Sequence, residues 1–236
     1  MPKARLSAQQ QAIRKGGQSA NRRVLYQSHP GPQNDFMLSE AQEVLYGGAA
    51  GGGKSHALRA WAVRYCLTYP GARVALFRQS FRQLDETHII SIQQEVPQEI
   101  GHYSSAKHDM IFPNGSILHL RFCEKDEDAR TYDTAEFDAM LFDELTHFTL
   151  FQYTYLITRC RSTKEWWPGR RIRAGATPLA RGHVWVKERW DCELVHHQPN
   201  EVWRAPISEG GMTRQFIPAR VTDNPALMKH DPDYMT

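Results

Sequence analysis

The stretch YGGAAGGGKSHALR, residues 46–59, constrains this chain more than any other. Gly48 to Ser55 fits the pattern G-x-x-x-x-G-K-[ST] and stands between a short apolar run, EVLYG (43–47), and a segment of helical periodicity. That context turns a pattern into a phosphate loop. Gly48, Gly51, Gly52 and Gly53, with Ala49 and Ala50 between them, let consecutive backbone N–H groups turn inward without Cβ clashes. The dipole of the following helix adds positive potential at the same point, so the concavity prefers a polyphosphate. In it Lys54 reaches the β- and γ-phosphates, and Ser55 offers its hydroxyl to Mg2+, a hard cation served by oxygen ligands.

The remaining pattern alternates strand and helix, the signature of a parallel sheet covered on both faces. Leu58, Trp61, Ala62, Tyr65, Cys66 and Tyr69 give one apolar face to a helix from Lys54 to Tyr69, which Pro70-Gly71 ends. RVALFR (73–78) predicts a second strand, and a helix follows from Ser80 to Val96 with Phe81, Leu84 and Ile92 facing inward. DMIFPNGSILHLRF (109–122) reads as a hairpin turning at Pro113-Asn114-Gly115-Ser116. FDAMLFDE (137–144) and RIRAGATP (171–178) complete the strands, and beyond Pro206 a proline-rich tail reads as a linker or an edge lying on the domain.

A phosphate loop needs an acid at the end of a second buried strand, and DAMLFDE supplies two in succession. Asp143 is placed to hold Mg2+ through water, and Glu144 to orient and polarise a water in line with the γ-phosphate. Such a pair favours ATP hydrolysis over a small-molecule kinase, which would require a lid-like arginine segment. Adjacent carboxylates could also cap the next helix.

Cys66, Cys123, Cys160 and Cys192 form no C-x-x-C pair, and His102, His108, His119, His147, His183, His196 and His197 form no ligand set, so neither zinc nor a disulfide framework is expected. No apolar run is long enough to span a membrane and no secretory signal opens the sequence; the expected setting is a cytoplasm. The net charge of +3 is modest, but Lys3, Arg5, Arg14, Lys15, Arg22 and Arg23 make the first segment basic. A second cluster, Arg159, Arg161, Lys164, Arg170, Arg171 and Arg173 around Trp166 and Trp167, suits phosphate neutralisation and base stacking, or a solvated loop with its tryptophans in the core.

Several segments in order, PGPQNDF, EVLYGGAAGGGKS, VALFRQSFRQL, AEFDAMLFDELTHF, RAGATPLARGHVWVKERW and FIPARVTDNPAL, resemble the N-terminal ATPase part of the large terminase subunit of tailed bacteriophages, from about Gly31 onward. The resemblance implies an α/β fold, a P-loop NTPase of the additional-strand, catalytic-glutamate type with a mostly parallel central sheet flanked by helices. It implies a motor that uses ATP and Mg2+ to drive double-stranded DNA through a portal protein into a procapsid. The motor works with a small terminase subunit, as a homo-oligomeric ring docked on the capsid in the host cytoplasm, or as a monomer in isolation. By the same resemblance Gln33 reads the adenine edge and Thr177 senses the γ-phosphate and couples hydrolysis to movement. Arg130 lies where terminases often carry a finger arginine acting on a neighbouring subunit, with Arg78 as its rival.

The implied division is a basic N-terminal segment (1–30), an ATPase domain (31–205) and a C-terminal linker or edge (206–236). Large terminases continue into a nuclease, but Asp223, Asp231 and Asp233 crowd the last stretch without strands to separate them, so no nuclease activity is expected of this chain. A helicase-like translocase and a nucleotide-gated DNA-binding scaffold are the alternatives; the first ordinarily needs a second motor lobe.

Overall fold

The computed structural model describes residues 24–231, so the basic residues of the first segment lie outside the described residues, as does Asp233. The strands are β1 (Glu43–Gly48), β2 (Arg73–Arg78), β3 (His102–Ser104), β4 (Asp109–Ile111), β5 (Ile117–Phe122), β6 (Ala139–Phe142), β7 (Ile172–Ala176), β8 (Val202–Arg204) and β9 (Thr213–Ala219). They form one nine-stranded sheet in the order β3-β4-β5-β2-β6-β7-β1-β9-β8. From β5 to β9 every pairing is parallel, and the antiparallel β3, β4 and β8 finish the two edges. Strand β7 lies between the loop-bearing β1 and the acid-bearing β6, which is the additional-strand arrangement.

Strand alternation distributes the apolar side chains between two cores. Val44, Tyr46, Val74, Leu76, Leu118, Leu120, Ala139 and Leu141 face one, built on helices α1 (Pro32–Leu38) and α2 (Lys54–Thr68). Leu45, Ala75, Phe77, Met140, Phe142, Ile172 and Ala174 face the other, which α6 (Leu150–Ile157) and α7 (His183–Arg189) cover. Between them in sequence, α3 (Phe81–Leu84) passes through a π turn (Asp85–Ile89) into α4 (Ile90–Glu95), and α5 is Asp126–Arg130.

Two expectations change. Phe81 is 39% exposed, against Phe122 and His108, while Leu84 and Ile92 are buried. It is the first residue of its helix, where the side chain leans back over the preceding loop instead of onto the sheet. The segment after Pro206 is not a linker or edge throughout, because β9 sits inside the sheet, paired with the whole of β1. Its proline is accommodated because β8 reaches only Thr213–Gln215, so Pro218 faces no strand on that side and needs no N–H there. Behind β1 and β9, buried Glu43 takes hydrogen bonds from Tyr153, Arg189 and Arg214 and ties both strands to α6 and α7.

Paired charges also fix α2 to α4. Arg59 donates through Nε and Nη2 to the two carboxylate oxygens of Glu95, at 2.8 and 2.6 Å, and His56 lies 3.0 Å from the same group. Burial works against ionisation, but the hydrogen bonds from Arg59 and His56 outweigh it and hold the Glu95 carboxyl down at about 2, against an ordinary 4.5. The pair therefore contributes its full stability above about pH 4.5 and loses it as the pH falls towards about 2. Glu95→Gln removes that acid-sensitive share, so the melting temperature of the variant should fall less steeply over this range; parallel slopes would show that the pair contributes nothing.

Candidate active site

Each parallel strand ends at the same edge of the sheet, where such folds collect their ligands. At the end of β1 the chain makes the glycine-rich loop and enters α2 at Lys54. Gly48 has φ +136°, and a Cβ there would lie 2.2 Å from the Ala219 carbonyl oxygen, so only glycine lets β9 close against the loop. That carbonyl accepts from Ala49 N–H at 3.0 Å, and Asn224 Nδ2 donates to Gly51 O at 2.7 Å. The segment following β9 thus fixes the far wall of the loop.

Gly52 is held against the body of the protein. It is buried, its carbonyl accepts from the Tyr46 hydroxyl at 3.0 Å, and a Cβ there would stand 3.2 Å from Ala219 Cβ. Ala219 of β9 presses on the loop from behind, while Tyr46 of β1 commits the Gly52 carbonyl to the protein and leaves its N–H for phosphate. Gln33, buried in the first turn of α1, brings Nε2 to 3.0 Å from the Cβ position of Gly53.

Lys54 is buried, and its Nζ donates to the loop's own carbonyls, Ala49 O at 2.6 Å and Gly48 O at 3.4 Å. Burial lowers its pKa, with the charges of Glu144 and Asp143 pulling the other way. The ammonium lies between loop and acids, in a setting that favours a multiply charged anion.

The acids follow β6. Asp143 is fully buried; its Oδ2 accepts from Ser55 Oγ at 2.9 Å and from His88 Nε2 at 2.8 Å. Burial opposes ionisation, yet hydrogen bonds from His88 and Ser55 and the charge of Arg78 hold the carboxyl far below its ordinary value. Oδ1 has no hydrogen-bond partner among the described residues. Meeting Ser55 requires Asp143 to reach across β7, and the residue it crosses is Gly175, where a Cβ would stand 3.2 Å from Oδ1, 3.1 Å from Leu58 and 3.5 Å from Lys54 Cβ. Glu144 adopts φ +51°, a left-handed conformation uncommon for a non-glycine residue, which turns its side chain away from the strand. Thr177, just past β7, holds that side chain: its N–H donates to Oε2 and its hydroxyl to Oε1, both at 3.0 Å.

The structure thus brings together Lys54, Ser55, Asp143, Glu144 and Thr177, with Gln33 beside the loop. Arg130 is not among them. It is exposed on α5, its guanidinium 5.9 Å from the Phe151 ring. Arg78, at the end of β2, is the arginine in the cleft, with Nη1 3.5 Å from Asp143 Oδ2; Nε and Nη1 are buried without a hydrogen bond. The residues that sequence reasoning missed are Gly175, His88 and Asn224. A glycine inside a strand pattern signals close backbone approach, and His88 falls in register with Leu84 and Ile92 as the one polar member of an inward stripe.

The second basic cluster lies at the opposite, amino edge, ahead of β7. Arg173 belongs to the core: it is fully buried, donates to Ala41 O and Ser39 O, and stacks over Trp61. Lys164 is paired with Asp138, Trp166 stacks on Tyr69, and Trp167 donates to Asp138 O, so the aromatic rings serve the protein itself. Arg159 is half-buried, donating to Asp133 O and lying over Tyr155, and Arg161 remains exposed.

The sequence matches the family described as terminase large subunit, T4likevirus-type, N-terminal, over residues 45–236. The chain belongs to the large terminase family. No curated protein sequence matches. Among solved structures, the large terminase of a thermophilic bacteriophage superposes with a TM-score of 0.66 at 14% identity, over 87% of this chain and 48% of that one. The complex of that phage enzyme with ATP-gamma-S gives 0.63 at 12%, over 86% and 47%. The ATPase domain of the Thermus phage P74-26 large terminase gives 0.56 at 16%, over 87% and 86%. The chain therefore spans about half the length of the first of these terminases, and shares its fold.

Gly175 is the point at which geometry alone can be tested. Gly175→Ala sets a methyl against Asp143 and Leu58, and is expected to weaken binding of an ATP analogue with Mg2+ about tenfold by displacing the carboxylate. Calorimetric titration showing unchanged affinity would mean that the gap is not needed.

Proposed function

We propose that this chain is the ATP-hydrolysing motor part of a large terminase, using Mg2+ and driving double-stranded DNA through a portal into a procapsid. The observation that carries the reading is the 2.9 Å contact between Ser55 and Asp143, with Glu144 next in the chain held on both oxygens by Thr177. Backbone amides of the loop Gly48–Gly53, apart from that of Ala49, which donates to Ala219 O, cradle the triphosphate, Lys54 leaves its carbonyl partners for the β- and γ-phosphates, and Gln33 meets the adenine edge.

Ser55 and Asp143 are the oxygen donors that would hold Mg2+. The fit rests on the unpartnered, buried Oδ1 and on ligand chemistry. Among the described residues no group of three or more His, Cys, Asp or Glu could hold a metal by itself. Mg2+ commonly completes its shell with phosphate and water oxygens, so two protein donors suffice. When bound it neutralises charge on the phosphate oxygens. Glu144, with lone pairs beyond those Thr177 occupies, accepts a hydrogen bond from the attacking water and orients it toward the γ-phosphorus; ADP and phosphate result. Because Thr177 touches Glu144 from the end of β7, its hydrogen bonds are the route by which hydrolysis is felt in the sheet. Arg78 contributes positive charge within the same subunit, while Arg130, exposed, serves a neighbour's site in a ring. DNA is gripped without sequence preference through basic residues such as the exposed Arg161, and the small terminase subunit assists at the capsid in the host cytoplasm.

Glu144→Gln should lower ATP turnover at least about a hundredfold with analogue affinity retained; unchanged phosphate release would refute its role. A scaffold that merely binds nucleotide would show no multiple turnovers in the unsubstituted chain, and a helicase-like translocase would separate forked DNA. The two arginines separate by context. Arg78→Ala should impair hydrolysis by the isolated chain, whereas Arg130→Ala should impair only the portal-stimulated rate; a matching loss in the isolated chain would take Arg130 out of any role between subunits.

A further inference from the structure

His88 has no place in the machinery described so far, yet it is completely buried and touches the centre of it. Its position depends on the π turn Asp85–Ile89, which inserts an extra residue into the helix and brings both His88 and Ile89 inside. Wide turns of this kind are rare and gather at functional sites. The turn is braced from the phosphate-loop helix: Arg59, already clamped to Glu95, donates through Nη1 to Thr87 O at 3.1 Å. Side chain and brace therefore lead from α2 through the π turn back to the carboxylate at the end of β6.

We propose that His88 is a positioning residue that pins Oδ2 of Asp143, so that Oδ1 is presented to the metal and Arg78 is kept off the carboxylate. The proposal rests on the reading of Asp143 as a metal-holding group. An ionised carboxylate only accepts, so Nε2 of His88 carries the hydrogen of the 2.8 Å contact. Nδ1 is buried with no partner among the described residues, an arrangement that a purely structural side chain would avoid. Ser55 and His88 together fill Oδ2, while Oδ1 stays bare beside Gly175. Arg78 waits at 3.5 Å from the same Oδ2, too far for a hydrogen bond. Without His88 the guanidinium would close on Asp143, and a carboxylate so paired would be lost to the metal.

The test measures affinity for a non-hydrolysable ATP analogue with Mg2+ and with a chelator, in the unsubstituted chain and in His88→Leu, His88→Gln and His88→Asn. The ratio of the two affinities reports the metal's contribution apart from turnover. His88→Leu should reduce that ratio about tenfold, the lower end expected for a residue that orients a metal ligand, with the chelator value unchanged. His88→Gln, whose Nε2 can replace the imidazole donor, should stay close to the unsubstituted ratio, and the shorter His88→Asn should not. The Gln and Asn pair decides the matter if the Leu variant fails to fold. A ratio unaffected by Leu, or identical in Gln and Asn, overturns the positioning role. Absence of any Mg2+-dependent gain in the unsubstituted chain overturns the underlying reading of Asp143, and this proposal with it.

Discussion

The loop and the acids that must act together are carried by strands that do not touch. Strand β7 separates β1 from β6, so Ser55 and Asp143 can meet only over the backbone of β7, and they do so where Gly175 presents no side chain. Burial of Asp143 follows from that crossing, and burial in turn demands the hydrogen bonds that keep it ionised. Ser55 supplies one and His88 the other. A side chain at 175 would press on Leu58 and on the Asp143 carboxylate at the meeting point.

A second constraint acts on the loop from behind. Gly48 and Gly52 are pressed against Ala219, and Asn224 reaches back to Gly51, so the shape of the loop is set as much by β9 and the turn after it as by its own glycines. The same β9 is locked to β1 through the buried carboxylate of Glu43 and the guanidinium of Arg214. Breaking a buried pair of this sort by removing one partner typically costs about 3–5 kcal/mol. The phosphate-binding loop is therefore coupled to β9 as well as to β1.

Most of the site was legible in the sequence because its parts are local. The loop, Lys54, Ser55 and the Asp143–Glu144 pair each announce themselves by residue type at a strand end, and the helix of 54–69 is found with its end at Thr68. What was not legible depends on distant partners. Nothing near Pro218 says that its free side meets no strand, so β9 read as a tail. Gly52 looked like its neighbours in the loop, and its burial comes from Ala219, far away in the chain. Arg173 resembled its exposed neighbours in composition and proved to be core, because strand alternation turned it toward Trp61. Arg78 and Arg130 were indistinguishable by type; the end of β2, adjacent to β6, puts Arg78 in the cleft, while α5 leaves Arg130 at the surface. His88 stands in register with Leu84 and Ile92, but its partner Asp143 is 55 residues away and no local pattern names it.

The central claim is that Ser55 and Asp143 form one binding point for metal and nucleotide phosphate. Its most direct test replaces Mg2+ with Mn2+ and records the magnetic coupling between the bound ion and the phosphorus nuclei of ADP. The account predicts a 31P coupling in the unsubstituted chain that disappears in Asp143→Ala and weakens in Ser55→Ala. A coupling that survives both substitutions, or an ion bound without any phosphorus nearby, would contradict it.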